Sequence, residues 1–458
     1  MSHAASNPPR RLWDKGATLD EIVHRFTVGD DPFWDMRLVD FDCTASAAHA
    51  RTLHRAGLLS EADLRCLLVA LREIVAARNA GDFSITPEQE DCHTAIEAFL
   101  TARCGDAGAR IHTGRSRNDQ VAAAMRMFMR AQALEWIPIS AALARFMCRR
   151  IATDGATPLP GQTHMQPAMP SSIGQWLHAH VEAIIEQIDA MFDLLRRLDS
   201  CPLGTGAGFG VPLPLDREYT ARLLGFARAQ RNAIDVQNSR GRLERYFARV
   251  AADIGALLEK FAWDVILLSG GERPLLSLPE ALTTGSSIMP QKRNPDVLEL
   301  MRARAGRLRA CVAEIEWTAA KLPSSYHRDL QMTKEPVFRA ADDMRQMLHV
   351  AARVVQEVRV NDENCRAAMT PELYATQAAY ALVRSGTPFR EAYRTVAAQI
   401  RDGAFQPPPP EESQPQIVSA ELLAELQGEI SRRVTVSDTL LEHVTSAESW
   451  TFYCDKLT

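Results

Sequence analysis

The amino-acid sequence predicts an all-α protein, with a core of long bundled helices flanked by two smaller helical domains. Apolar residues recur at alternating steps of three and four along several segments, which places an apolar stripe on one face of a helix. A helix of about 30 residues is roughly 45 Å long, and the average globular helix has only about 12 residues. Glycine- and proline-rich stretches separate these segments, and no region is rich in strand signals. These observations together favour a long helix bundle.

The predicted long helices follow one another through the middle of the chain. The first covers residues 118 to about 151, with Val121, Met125 and Phe128 on one side and a kink expected at Pro138. Three further apolar stripes predict the other long helices. They are Ile173, Leu177, Val181, Ile184, Ile188, Met191, Leu195 and Leu198; Leu243, Phe247, Val250, Ile254, Leu257, Phe261, Val265 and Leu268; and Val337, Met344, Leu348, Ala351, Val354 and Val358.

Three glycine- or proline-rich breaks, at 158–161, 204–210 and 285–295, separate the predicted helices. The glycines at 204–210 do not open the helix of a βαβ unit, which disfavours a dinucleotide-binding site. Four consecutive prolines at 407–410 predict a stiff surface loop late in the chain.

Helix lengths and breaks together predict three domains. An N-terminal mixed helical domain covers residues 1–111, and a central long-helix bundle covers 112–363. A smaller C-terminal helical domain covers 364–458.

Composition limits the classes of function. The net charge is −5 and the pI is about 6.2, so no basic excess points to a nucleic-acid partner. No apolar run approaches the roughly 18 residues that a membrane helix needs. The N-terminus lacks the hydrophobic stretch of a secretory signal. We therefore expect no membrane partner and a cytoplasmic location.

The cysteines and histidines do not form an obvious metal site. The nine cysteines are scattered without a CxxC pair, which argues against both a disulfide framework and a zinc site. His93 and Glu97 have helical spacing, but no third ligand accompanies them. We therefore expect no metal.

The strongest chemical signal is the stretch GSSIMPQKRNPD at 285–296. It offers two serine hydroxyls, the positive charge of Lys292 and the neutral donor of Asn294, and its end suits the first turn of a helix that contains Glu299. Amides at a helix start favour anions. A surface loop with a helix cap is the plainer interpretation of any one of these features.

The whole string resembles the signature of the fumarase/aspartase superfamily. Two further stretches agree with it in order: GQTHMQPAMP at 161–170 resembles the superfamily's threonine–histidine site, and TGRSRNDQ at 113–120 resembles the motif of argininosuccinate lyases. YHRDLQMTKEP at 326–336 is similar to that family's substrate-side segment. LWDKG at 12–16 and QNSRG at 237–241 are similar to a bacterial subgroup of it.

The resemblance implies a cofactor-independent lyase that splits argininosuccinate into L-arginine and fumarate by β-elimination. It further implies a fumarase/aspartase-like fold and a homotetramer in which each active site takes residues from three subunits. Catalysis would use Ser286 as base and His164 as acid, with Lys292, Asn294 and Glu299 in support. The residues implied to hold the substrate are Arg117, Asn118, Thr163, Tyr326, Gln331 and Lys334. Arg240 and His112 are weaker candidates, for subunit packing or site support.

The sequence departs from the family where the leaving group would bind. A serine that holds the amino-acid end of the substrate is missing from FTVGDD at 26–31, and His327 stands where asparagine is common. Met332 and Thr333 replace an acidic pair, and Gln377 replaces an aspartate. Two alternatives therefore stay open. One is a sister lyase acting on another N-substituted aspartate, such as adenylosuccinate, although 113–120 disfavours that substrate. The other is an inactive homologue with a structural role, which the intact catalytic set disfavours.

Overall fold

Long helices dominate the computed structural model, which describes residues 20–409 and 417–453. The helices are α1 Glu21–Val28, α2 Asp31–Asp35, α3 Val39–Arg55, α4 Glu61–Ala80, α5 Cys92–Cys104, α6 Asp106–Arg110, α7 Arg117–Asp154, α8 Ile173–Leu198, α9 Arg217–Leu223, α10 Ala233–Asn238, α11 Arg242–Leu268, α12 Asp296–Ala319, α13 Lys334–Glu357, α14 Asp362–Ala367, α15 Ala375–Arg384, α16 Phe389–Arg401 and α17 Ala420–Tyr453. Short 3₁₀ helices cover Glu280–Leu282, Arg328–Thr333 and Pro371–Tyr374. The strands are β1 Pro158–Thr163, β2 Gln166–Ser172, β3 Leu276–Ser277, β4 Thr284–Gly285, β5 Arg293–Asn294 and β6 Arg359–Val360.

The central bundle consists of α7, α8, α11, α12 and α13, which pack against one another. Its helices bury the apolar stripes that the sequence shows, for example Ile184 and Ile188 of α8 and Phe247 and Phe261 of α11. Burial of such side chains, each contributing about 1.5–3 kcal/mol, holds the helices together. The predicted all-α fold and its three stripes are confirmed.

The longest bundle helix, α7, starts at a capping box. Ser116 accepts a hydrogen bond from a backbone amide of the first turn, and the Asp119 carboxylate accepts one from the Ser116 amide at 2.9 Å. The same carboxylate accepts the amides of Gly204 and Gly206, both at 2.9 Å, which ties the glycine-rich break to this helix start. Pro138 lies within the helix, which continues past it for more than four turns.

The strands form three separate two-stranded antiparallel pairs: β1–β2, β3–β6 and β4–β5. The first and third of these pairs lie where the sequence predicts only breaks at 158–161 and 285–295. In both places a short loop returns the chain on itself and carries predicted catalytic residues at its end. β4 and β5 have two residues each, too few for an alternating pattern, and the prolines of β1 and β2 argue against strands.

Two cysteines pair, contrary to the expectation drawn from their spacing. Cys66 of α4 and Cys104 of α5 form a disulfide bond across a sequence separation of 38 residues. The packing of α4 on α5 brings them together, and spacing alone carries no information on that contact. The six other cysteines in the described parts of the chain are free and buried.

Some predictions concern features that the structure does not test. The stretch at 12–16 and Pro410 lie outside the described residues, and the boundaries at 111 and 363 remain predictions. No described helix is both long enough and apolar enough to cross a membrane.

Candidate active site

Four of the six predicted substrate-binding residues line one cleft. Arg117 enters it from the start of α7, Tyr326 and Gln331 enter it from the segment before α13, and Lys334 enters it from the first position of α13. Asn118 follows Arg117 in the first turn of α7 and is half-buried. The sequence stretches at 113–120 and 326–336 are 200 residues apart in the chain, and the fold joins them in one site.

Lys334 lies at the buried end of this cleft, between two carboxylates. Its Nζ is 2.8 Å from Asp31 and 2.7 Å from Asp35. Burial opposes its charge, but Asp35 and Asp31 outweigh burial and raise the pKa of Lys334. Burial raises the pKa of Asp31 to about 6, against the lowering effect of Lys334. Lys334 therefore stays a cation, with at least two of its three donors occupied.

Arg117 is likewise held by acids on its buried side. Its Nη1 donates to Glu90 at 3.1 Å, and its Nε is ion-paired with Asp91. Glu90 has a φ of +68°, which non-glycine residues rarely adopt. The fork of Arg117 has five N–H donors, so these pairs fix its plane without using all of them. A fixed guanidinium suits bidentate binding of a carboxylate.

The acids around the cleft are the functional residues that motif reasoning missed. Asp31 and Asp35 lie one helical turn apart on α2, and Glu90 and Asp91 precede α5. The i,i+4 spacing of Asp31 and Asp35, which begins in the stretch at 26–31, was the available signal. Acids at helical spacing usually lie on a solvated face, so the signal was weak on its own.

A buried histidine–aspartate pair lies beneath this layer. The Nδ1 of His93 is 3.0 Å from Asp42. Burial disfavours the charged form of His93, but the carboxylates of Asp42 and Asp91 outweigh burial and raise the pKa of His93. Burial also disfavours the charged form of Asp42, but His93 outweighs burial and lowers the pKa of Asp42. Glu97 instead pairs with His112, at 3.1 Å. His93 and Glu97 therefore have separate partners.

Among the described residues, Asp35, Cys92 and His93 offer ligand atoms close enough together for a metal ion. The ammonium group of Lys334 contacts Asp35, and a cation beside it would be repelled. This cluster therefore suits an ion-pair network better than a metal.

The His93–Asp42 pair predicts a pH-dependent stability. Because the folded-state pKa of His93 is raised, its contribution is complete below about pH 6.5 and is lost as the pH rises through the folded value. We expect urea denaturation to show a larger fall in unfolding free energy between pH 6 and pH 8.5 in the wild type than in His93→Gln. An equal fall in unfolding free energy for both proteins, measured at the same protomer concentration, would contradict a stabilising role of the pair.

His164 lies at the tip of the β1–β2 hairpin. Thr163 pairs with Gln166, so His164 and Met165 alone form the connection, with φ values of +54° and +57°. Positive φ at both positions is the geometry of a type I′ hairpin turn. His164 is exposed and Met165 is 67% exposed. The hairpin thus presents the imidazole away from its own chain's core.

Ser286 lies in the loop between β4 and β5. Its Oγ accepts hydrogen bonds from the amides of Met289 and Ile288, at 3.2 and 3.4 Å. Two backbone N–H groups directed at this oxygen stabilise negative charge on it. Asn294 donates to the Gly285 carbonyl at 3.4 Å, which holds the two ends of the loop together. Lys292 closes the loop and is exposed.

Within the described part of one chain, His164 and Ser286 are not joined to the cleft. No hydrogen bond or ion pair there joins His164 or Ser286 to the cleft, or joins Glu299 to His164. Glu299 is in the first turn of α12, 3.7 Å from Arg302. The predicted site residues therefore form three groups: the cleft, the hairpin tip and the Ser286 loop.

A larger cavity of about 490 Å³ adjoins the cleft and shares Asp31, Gln331 and Lys334 with it. Its remaining lining is mixed apolar and charged: Phe26, Thr27, Gly29, Asp30, Trp34, Arg328, Asp329, Met332 and Glu335. Several of these lie at 26–31 and 332, where the sequence departs from the family. Two of the departures, the stretch at 26–31 and Met332, therefore lie around one cavity beside the cleft.

Sequence comparison finds relatives that share one name. Residues 17–309 match the family model described as Lyase. Argininosuccinate lyase from Sorangium cellulosum is 46% identical over 85% of this chain and 90% of its own length. The enzyme of that name from Thermotoga neapolitana is 41% identical, covering 84% and 97%, and one from Xanthomonas oryzae pv. oryzae is 41% identical, covering 91% and 96%.

Solved structures agree on the fold. A structure of EDDS lyase in complex with formate has a TM-score of 0.80 at 22% identity, covering 95% of both chains. A fumarate lyase:delta crystallin from Brucella melitensis has a TM-score of 0.67 at 18% identity, covering 90% of this chain and 91% of that one. At these identities the likeness supports the long-helix architecture alone.

Proposed function

Because the chain belongs to the argininosuccinate lyase family, we propose that it splits argininosuccinate into L-arginine and fumarate by reversible β-elimination. It is a carbon–nitrogen lyase. The observation that carries the proposal is the Ser286 loop, where a serine hydroxyl receives two backbone amides inside an intact superfamily signature. Identity of 46% over most of the chain supports the same reaction.

The elimination removes a weakly acidic proton from the carbon next to a carboxylate. Ser286 takes this proton as an alkoxide, and the amides of Ile288 and Met289 stabilise its charge. The electron pair moves to form the fumarate double bond while the C–N bond breaks. Lys292 and Asn294, on the closing side of the loop, bind the carboxylate that carries negative charge in the transition state.

The leaving nitrogen requires a proton, which His164 donates directly or through water. Glu299 orients the imidazole and favours its cationic form, as orienting carboxylates do in other sites. Thr163 precedes His164 on the hairpin and binds the substrate beside it. A hairpin tip exposed on its own subunit is suited to reach into a neighbour.

Substrate binding falls to the cleft. Arg117, with its plane fixed by Glu90 and Asp91, binds a carboxylate together with Asn118. Tyr326, Gln331 and Lys334 line the same cleft. The adjoining cavity of about 490 Å³ receives the leaving-group end.

We further propose a homotetramer whose sites are shared between subunits. The hairpin and loop expose apolar side chains that a monomer would leave in water: Met165, Met169 and Ile288 are 67%, 41% and 83% exposed. Among the described residues of one chain, no hydrogen bond or ion pair joins Glu299 to His164, although the proposed chemistry pairs them. In the tetramer, a partner subunit covers these apolar side chains and brings the carboxylate of one chain's Glu299 to the His164 of another.

The direct test is ultraviolet absorbance of fumarate released from argininosuccinate by the purified protein. We expect steady release that a chelator does not reduce, since no step uses a metal. Absence of release, with release from another N-substituted aspartate, would favour a sister lyase; the altered residues around the larger cavity are the observation that favours that candidate. Absence of release from every such compound would reject the proposal.

Shared sites predict complementation between inactive variants. Ser286→Ala and His164→Asn subunits, unfolded together and refolded as a mixture, should regain part of the wild-type rate, because some sites then combine an intact serine with an intact histidine. Each variant refolded alone serves as the control. No recovery in a mixture that forms hybrid tetramers would place both residues on one chain.

A further inference from the structure

The segment at 237–241, which runs from the end of α10 to the residue before α11, contacts the turn that carries Tyr326. The Oδ1 of Asn238 accepts the amide of Ser325 at 2.8 Å, and its Nδ2 donates to the Ser324 Oγ at 3.2 Å. One side chain therefore holds two successive residues of this turn. Tyr326 is the next residue along the chain.

The backbone of this turn adopts two unusual conformations. Ser325 has a φ of +96° and Lys321 a φ of +63°, conformations that non-glycine residues rarely adopt and that surrounding contacts must maintain. A cavity of about 200 Å³, lined in part by Asn238, Leu322 and Ser324, lies beside the turn. The two hydrogen bonds of Asn238 therefore help to hold the turn, together with the one between His327 Nε2 and the Pro323 carbonyl at 3.2 Å.

Arg240 contacts the chain just before Gln331, a second residue that lines the cleft. Its Nη2 donates to the Leu330 carbonyl at 3.2 Å, and its Nε donates to Glu244 at 2.8 Å, which fixes the guanidinium. Gln331 follows Leu330 directly, and Arg240 itself lines the cleft. The segment at 237–241 therefore contacts the chain immediately before both Tyr326 and Gln331.

We propose that Asn238 and Arg240 are positioning residues that hold Tyr326 and Gln331 in the geometry needed to bind substrate. Neither needs to touch the reacting atoms. The inference rests on the proposed function, because the role of the cleft as the substrate site comes from that proposal.

The kinetic test replaces Asn238. Asn238→Ala loses both hydrogen bonds, and we expect KM to rise about 10-fold with kcat within about 3-fold of wild type, because ground-state binding is affected first. Asn238→Asp keeps an acceptor for the Ser325 amide and for the Ser324 hydroxyl, and should stay close to wild type. Asn232→Ala is the matched control, since Asn232 caps α10 by accepting the Asp235 amide at 3.0 Å and does not contact the turn.

A double-mutant cycle separates positioning from a general loss of stability. Combining Asn238→Ala with Tyr326→Phe should give a KM effect smaller than the product of the two single effects, because both act through one side chain. Fully multiplicative effects, or an unchanged KM in Asn238→Ala, would overturn the proposal.

A second readout does not depend on the substrate. Lys321 is exposed, so trypsin should cleave after it faster in Asn238→Ala than in wild type or Asn232→Ala. If the wild type releases no fumarate from argininosuccinate, the proposed function fails while this result still decides the positioning role. Equal cleavage rates in all three proteins would overturn it.

Discussion

Replacing Ser286 with alanine is expected to abolish fumarate release, with a fall in kcat of at least about 10³-fold. In the proposed mechanism the Ser286 alkoxide is the proton acceptor, and the amides of Ile288 and Met289 contact its Oγ. Substrate binding should persist because the cleft that holds the substrate is a separate group of residues. Single-turnover absorbance would measure the rate, and calorimetric binding of argininosuccinate to the inactive variant would measure affinity.

The adjacent serine provides a matched control. Ser286 is half-buried and accepts two backbone amides, whereas Ser287 is exposed. Ser287→Ala removes the same atom one residue away and should keep most of the activity. If Ser287→Ala were inactive and Ser286→Ala active, the base would be Ser287, and the amide geometry around Ser286 would have only a structural role.

The sequence predicts the fold well because packing in this protein is periodic. Stripes such as Leu243 to Leu268 repeat over many turns, and each repeat adds evidence for one buried face. Local features do not repeat. The hairpin at 158–172 rests on a two-residue turn with positive φ at His164 and Met165, residue types that do not signal such a turn by themselves.

The candidate site was predictable only in part. Motifs indicated Arg117, Tyr326, Gln331 and Lys334, and the structure brings these four together. The partners of these cations lie elsewhere in the chain: Asp35 is 299 residues from Lys334, a pairing that only the fold creates. Charge neutralisation in a buried cleft is a property of three-dimensional packing, so no spacing rule reveals it.

The second large effect is expected at His164, where asparagine should lower kcat by about 100-fold or more. In the proposed mechanism the imidazole delivers the proton to the leaving nitrogen, and asparagine cannot supply one. The backbone favours this choice of substitution. His164 has a φ of +54°, and asparagine adopts that conformation more readily than most residues. The hairpin should therefore form as before, and the loss is assignable to chemistry.

The neighbouring turn residue tests that assignment. Met165, with a φ of +57°, occupies the other position of the same turn, so Met165→Asn changes the turn without removing the imidazole. It should keep kcat within about 3-fold of wild type, since the imidazole is retained and asparagine tolerates the positive φ of this position. A loss in Met165→Asn as large as that in His164→Asn would mean that hairpin geometry, and not proton donation, limits the reaction. A mild loss in His164→Asn alone would move the acid to another residue, and Tyr326, which lies in the cleft with a phenolic O–H, would then be the first to replace.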